Sequence, residues 1–272
     1  MTLTNLKSDR IGKIRGLARA AVRQRLGLVL VEGPQACREA AVLGLVQDLY
    51  CTDDAAERHP LTVQLVTEHG GHVHLASEAY VSAISPAAQQ ILAVARLEAP
   101  IWPQDWSMAA VFDQIRDPGN AGTVIRSACA MGLDAVLFTA GSVDPSSPKV
   151  IRSSAGAVFH LPVLAGAVVG TLEQAVARLR QTGPSGVQVL ATGPAGTVRL
   201  GALPEARLAK PTVWLFGNEA QGLGELELAL ANEVVAVEMY GPTESLNLAV
   251  AAGIVFHAAA LAANRSGQAP TE

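Results

Sequence analysis

Five polar side chains stand out in three glycine-containing stretches of this 272-residue chain. The first, DQIRDPGNAGTVIRSA, carries Asn120 and Arg126. The second, LFGNEAQGLG, carries Glu219 between Gly217 and Gly222. The third, VEMYGPTESLNLAVA, carries Ser245 and Asn247. Each follows an apolar run and precedes a helical pattern. All three therefore belong beyond the carboxyl end of a strand, where open parallel sheets bind their ligands. Taken singly, the residues have structural explanations: Asn120 or Ser245 could cap a helix, and the glycines could mark turns. Together they gather an arginine, a glutamate, two asparagines and a serine at one sheet edge. Arg126 and Asn247 each interrupt an otherwise apolar helix face, where a structural residue would more often be Ala or Leu.

Other chemistries lack their signatures. The chain has no GxGxxG after a first strand, no GxxxxGK[ST], no GxSxG elbow and no HExxH. Gly217, Gly222 and Gly224 do not fit a dinucleotide fingerprint, which disfavours a Rossmann dehydrogenase or Rossmann methyltransferase. His69, His72 and His74 invite a metal reading, but no carboxylate or cysteine sits at matching short spacing. They read as surface histidines on an edge strand, and no metal is expected. Cys37, Cys51 and Cys129 lie far apart without a CxxC pair, which argues against a disulfide framework or cysteine zinc site and fits a reducing cytoplasm.

The elements that carry these loops fall into two halves. Residues 1–97 read as a small α/β unit: a basic helix, the strand LGLVLVE, a helix opened by Pro34, the strand LVQDLYC, a helix over 53–69, the strand HVHLA, a helix capped by Ser77 and the strand QILAVARL. Residues 98–106, with two prolines and two tryptophans, read as a linker. From 107 to 264 continuously apolar strands alternate with helices, the pattern of a parallel sheet covered on both faces. Residues 265–272 read as a flexible tail. Half of the residues are hydrophobic, so a large core is available, yet no apolar run approaches the ~18 residues of a membrane-spanning helix. The charged N-terminus does not resemble a signal peptide.

Charge is unevenly spread. The net charge is −4, but residues 1–25 hold seven basic side chains and one acid. Arg15, Arg19 and Arg23 recur every four residues, so one helix would align them on a face, as an RNA phosphate contact or as an ordinary solvated face. An acidic body argues against non-specific coating of DNA.

In order and residue type, DPGNAGTVIR, LFGNEAQGL and VEMYGPTESLNLAVA resemble the three motifs of the SpoU (TrmH) branch of the SPOUT RNA methyltransferases. The likeness spans about 107–264, and the preceding VLVEGPQACREA resembles an L30e-like RNA-binding domain. The overall layout is similar to the thiostrepton-resistance type of ribosomal methyltransferase. The resemblance implies an α/β fold: a parallel-sheet SPOUT domain with a C-terminal trefoil knot, an exception to the general rule against knots, behind a small L30e-like domain. It also implies a homodimer with active sites at the interface, and methyl transfer from S-adenosylmethionine to a ribose 2′-hydroxyl, in large-subunit ribosomal RNA by preference. On it, Arg126, Asn120, Glu219, Ser245 and Asn247 take the catalytic positions. Gly217, Val237, Met239 and Leu246 take positions whose backbone holds the cofactor, with Thr192 of LATG beside them. Glu238 stands where the family commonly has proline. A neutral ribose hydroxyl is a poor nucleophile, and arginine is too weak an acid to serve as a free base, so Arg126 is expected to position the hydroxyl. A transfer RNA 2′-O-methyltransferase and a catalytically silent RNA-binding assembly factor are the alternatives.

Overall fold

The computed structural model describes residues 2–267 apart from 103 and 105. Two units form: Met1–Ala99 with Asp144–His160, and Pro100–Val143 with Leu161–Glu272.

In the first unit, alternating side chains feed two cores on opposite faces of one sheet. Its strands are β1 (Leu28–Glu32), β2 (Val46–Cys51), β3 (His72–Leu75) and β4 (Ile91–Arg96), in the order β1-β4-β2-β3. β4 runs antiparallel to β1 and β2, and β3 parallel to β2. Val29, Val31, Ile91 and Ala93 bury on one face with helix Pro34–Val42. Leu30, Leu92 and Val94 bury on the other against Ile11, Ile14, Leu17 and Tyr80. This is the period-two signature of a sheet covered on both sides. The helix expected over 53–69 is broken into Asp53–Arg58 and Pro60–Glu68, because Pro60 lacks an N–H and pushes His59 to an extended φ of −125°. On the edge strand β3, His74 Nε2 meets Asp48 Oδ1 at 2.6 Å and its ring stacks on Tyr50.

Segment Asp144–His160 lies in this unit although the sequence reading assigned it to the second half. Ile151, 1% exposed, joins the β1 core together with Val158 and Phe159. Arg152 donates to Glu32, which also accepts from Ser85 Oγ at 2.5 Å. A boundary drawn along the chain cannot anticipate a segment that leaves and returns.

The basic N-terminal stretch also departs from expectation. It is not one helix but Asp9–Arg15, a 3₁₀ turn Gly16–Ala18, and Ala20–Leu26, with Arg19 extended at φ −92°, ψ 128°. The four-residue spacing therefore makes no stripe. Arg15 and Arg19 are exposed. Arg23 is 2% exposed and spends its guanidinium on the carbonyls of Leu17 and Ala18, each at 2.9 Å, on Ser146 Oγ and on Asp144. It is a structural cation, not a free phosphate contact.

The second unit is built on runs buried at every position, such as Met108–Phe112 and Thr212–Phe216. Seven parallel strands form its sheet: β5 (Met108–Phe112), β6 (Ala135–Phe138), β7 (Val163–Ala165), β8 (Gln188–Thr192), β9 (Val198–Arg199), β10 (Thr212–Phe216) and β11 (Glu233–Ala236). Their order is β7-β6-β5-β10-β8-β11-β9. The two-residue edge strand β9 is too short to leave a periodic signal. Helix Leu172–Thr182 covers one face with Val176 and Leu179, opened by a capping box between Thr171 and Gln174. Trp106, inside the stretch read as a linker, is 4% exposed in the same core. Residues 103 and 105 of that stretch lie outside the described residues.

Helix Leu248–Arg265 is long and apolar enough, at mean hydropathy 1.5, to cross a membrane by length and composition. It buries Ala252, Val255, Phe256 and Ala259, and packs against helix Pro118–Ala130. It runs to Arg265, which pairs with Glu205 at 2.5 Å, so the expected tail begins later. Residues 268–272 lie outside the described residues.

Candidate active site

β5 and β10 are adjacent and in register, Phe112 opposite Phe216, so the first two loops leave the sheet side by side. β8 separates β10 from β11, whose exit carries the third loop. The sequence thus delivers all three loops to one sheet edge.

The first loop ends in helix Pro118–Ala130. Its cap is not Asn120 but Asp117, whose Oδ1 accepts from Asn120 N at 2.8 Å, with Pro118 in the first turn. That frees the Asn120 side chain. The terminal helix is capped not by Ser245 but by Asn247, whose Oδ1 accepts from Ala249 N at 2.9 Å and Val250 N at 3.4 Å.

These caps fix the direction of a relay. Because Asn247 Oδ1 serves the helix amides, its Nδ2 must be the donor outward, and it donates to Asn120 Oδ1 at 2.9 Å. Asn120 then has only Nδ2 to offer, and this donates to Glu219 Oε1 at 3.3 Å. The amide N–H of Asp117 approaches the same oxygen at 3.5 Å. Both contacts to Glu219 are long for hydrogen bonds, so this exposed carboxylate keeps capacity for a stronger donor. The first loop is tied to the second across 99 residues of chain and to the third across 127, by two side-chain amides.

Arg126 and Ser245 stay outside the relay. Arg126 shares the exposed face of its helix with Thr123 and Ala130, and forms no hydrogen bond or ion pair among the described residues. Ser245 is exposed and likewise unbonded among them.

The expected cofactor positions lie at the adjacent ends of β8, β10 and β11. Gly217 is buried where the second loop folds back: a Cβ there would stand 2.1 Å from the carbonyl carbon of Gly222. Only glycine permits this closure. Thr192 Oγ1 donates to Leu215 O at 3.0 Å, which ties the ends of β8 and β10 together. Val237 and Leu246 are half-buried and Met239 is exposed. Met239–Leu246 makes no main-chain hydrogen bond to main chain among the described residues, so its amides and carbonyls are free for a ligand. Glu238 accepts from Gly201 N at 2.8 Å, so a side-chain bond anchors the position where proline is common.

Sequence reasoning missed Asp117, Gln114 and Asn218. Asp followed by Pro is a cap-and-first-turn signal that could have identified Asp117. Asn218 Nδ2 donates to Gln114 O at 2.9 Å and so bridges the first two loops. No local pattern announces a bond across that distance.

Asn247→Asp separates capping from relay. Aspartate caps a helix as well as asparagine, but it cannot donate to Asn120. The variant is expected to keep its thermal midpoint and to lose about tenfold in the methyl-transfer rate that the motif resemblance implies, the worth of one hydrogen bond. Equal rates in the two proteins would show that the relay is only structural.

The three loops thus meet at the carboxyl edge of a parallel sheet, joined by the side chains of Asn120, Glu219 and Asn247. Residues 107–257 match the SpoU rRNA Methylase family, and the chain belongs to it. An uncharacterized tRNA/rRNA methyltransferase of Synechocystis is 30% identical over 95% of this chain and 93% of its own length. The 23S rRNA (guanosine(2553)-2′-O)-methyltransferase RlmP of Bacillus subtilis is 29% identical over 94% of this chain and 98% of its own. The AdoMet-bound crystal structure of an rRNA methyltransferase from Sinorhizobium meliloti is 29% identical, with a TM-score of 0.77, over 95% of this chain and 97% of that one.

Proposed function

We propose that this chain methylates a ribose 2′-hydroxyl of large-subunit ribosomal RNA, using S-adenosylmethionine. The observation that carries the reading is the relay from Asn247 through Asn120 to Glu219, which joins the family's three motifs into one polar surface. The near-full-length match to a 23S rRNA 2′-O-methyltransferase supports the substrate.

The residues present fit the cofactor. The closed turn at Gly217 and the unpaired main chain of Met239–Leu246 offer donors and acceptors to an adenine edge without side chains in the way. Gly217, Val237, Met239 and Leu246 would hold it, with Thr192 beside them. When bound, S-adenosylmethionine supplies an electrophilic methyl group. Arg126 holds the ribose hydroxyl and a neighbouring phosphate through its guanidinium fork. Glu219, oriented by Asn120, accepts a hydrogen bond from the substrate. Ser245, at the mouth of the third loop, offers a hydroxyl to the same ribose.

Residues 1–97 act as an L30e-like RNA-binding domain, with exposed Arg15 and Arg19 as phosphate contacts. A trefoil knot in the C-terminal part is supported by the crossovers that set β10 between β5 and β8. A homodimer is supported by Val250, Ile254 and Leu261, exposed apolar residues spaced along one face of the terminal helix. The protein works in the cytoplasm, without a metal.

Calorimetry with S-adenosylmethionine and mapping of 2′-O-methyl sites in ribosomal RNA from cells lacking the protein test the reading. Binding together with one lost ribosomal methyl group is expected. Loss of a transfer RNA methyl group instead would redirect the substrate, and absence of cofactor binding would overturn the assignment.

A further inference from the structure

Gln114 adopts φ +48°, in the left-handed region that suits glycine. A non-glycine residue there is strained and needs its surroundings to enforce it. The main chain of Gln114 is clamped from both sides: its N–H donates to Thr139 Oγ1 at 2.9 Å, and its carbonyl accepts from Asn218 Nδ2 at 2.9 Å. Glycine would satisfy both clamps without strain, so they do not explain a glutamine. The side chain does something further: its Oε1 accepts from Arg116 Nη2 at 2.7 Å.

Arg116 is exposed and directly precedes Asp117, the cap of the helix that carries Asn120 and Arg126. Asp117 Oδ1 accepts from Asn120 N, and the contacts of Glu219 Oε1 are with Asn120 Nδ2 and Asp117 N. Arg116 forms no ion pair among the described residues. Its one bond among the described residues is to a neutral amide, which orients the guanidinium without an ion-pair partner. An exposed arginine oriented in this way beside the relay is suited to bidentate recognition of an anion.

We propose that Arg116 is a phosphate-binding residue for the RNA strand that enters the site, and that Gln114 is its positioning residue. The inference rests on the RNA methyltransferase reading for the identity of the anion. It adds a subsite that the three motifs do not contain.

The test uses the full chain, with large-subunit ribosomal RNA from cells lacking the protein as probe, in filter binding over a range of salt. Arg116→Ala is expected to weaken RNA binding severalfold and to flatten the log–log salt slope by about one, with S-adenosylmethionine affinity unchanged by calorimetry. Gln114→Gly keeps both main-chain clamps and relieves the left-handed strain. Its thermal midpoint is expected to match or exceed wild type while RNA affinity falls in the same direction as in Arg116→Ala. The double variant is expected to bind no worse than Arg116→Ala alone.

A wild-type salt slope in Arg116→Ala overturns the phosphate subsite. Wild-type RNA affinity in Gln114→Gly, or an affinity loss accompanied by a lower midpoint, overturns the positioning role. Failure of the methyltransferase reading is recognised separately, because the unsubstituted protein would then bind no S-adenosylmethionine.

Discussion

Replacing Arg126 by alanine is expected to lower methyl transfer by about 10²–10³-fold, the usual loss on removing one preorganised charged donor from a reacting centre. Stability should stay within about 0.5 kcal/mol of wild type, because an exposed side chain with no bond among the described residues has nothing structural to lose. S-adenosylmethionine affinity should also persist, since the cofactor positions lie on other strand ends. Arg126→Lys keeps the charge without the planar fork and should recover only part of the rate. Single-turnover transfer on hypomethylated ribosomal RNA measures both variants. Wild-type turnover in Arg126→Ala would remove the residue from the mechanism.

Asp144→Ala is expected to destabilise the first unit by about 1–3 kcal/mol, less than the loss of a fully buried partner because the Asp144 side chain is 35% exposed. Arg23 would be left 2% exposed with only neutral acceptors, the carbonyls of Leu17 and Ala18 and the Ser146 hydroxyl. Burial alone would raise the Asp144 carboxyl. Hydrogen bonds from the Ser146 hydroxyl, the Arg23 guanidinium and the Ser146 amide, with the guanidinium charge, outweigh that and hold it below its usual value. A depressed folded-state value means the stabilisation is present above the unfolded carboxylate range of about pH 4 and is lost as pH falls through the folded value. Denaturant midpoints of both proteins should therefore diverge at neutral pH and converge in acid. A difference at pH 7 no larger than that of an ordinary surface substitution would refute the structural role of this pair.

These two arginines show what a sequence discloses and what it hides. Arg126 was legible as a residue type within a recognisable motif, but the apolar face it was expected to interrupt is the exposed face of its helix, shared with Thr123 and Ala130. Arg23 carried the same kind of signal, a four-residue spacing with Arg15 and Arg19. The spacing misled because Gly16 and an extended Arg19 break the helix, and because the partners of Arg23 lie at Asp144 and Ser146. The parallel sheet was readable from apolar runs buried on both faces. The edge strand β9 and the split of helix 53–69 were not, one being too short for periodicity and the other turning on a single proline. Within the site, Asn120, Glu219 and Asn247 were legible as types in motifs. Which amide donates to which could not be read, because it depends on the caps: Asp117 frees Asn120, and the terminal helix fixes the orientation of Asn247.

The strand order also dictates when the site can exist. β5 lies beside β10, and Asn120 meets Asn247 across 127 residues of chain. Closing so long a loop costs conformational entropy before any contact repays it, which makes assembly of the parallel sheet slow relative to its local helices. During synthesis from the N-terminus, the first loop emerges well before its partners, and the relay forms only after the start of the last helix has left the ribosome. Until β10 has emerged, β5 lacks that neighbour and offers an unpaired apolar edge. The nascent chain is thus most vulnerable to misassociation between the synthesis of residue 112 and that of residue 216, the ends of β5 and β10. The relay waits for the third loop, and truncation before Asn247 removes it while leaving every strand of the sheet in place.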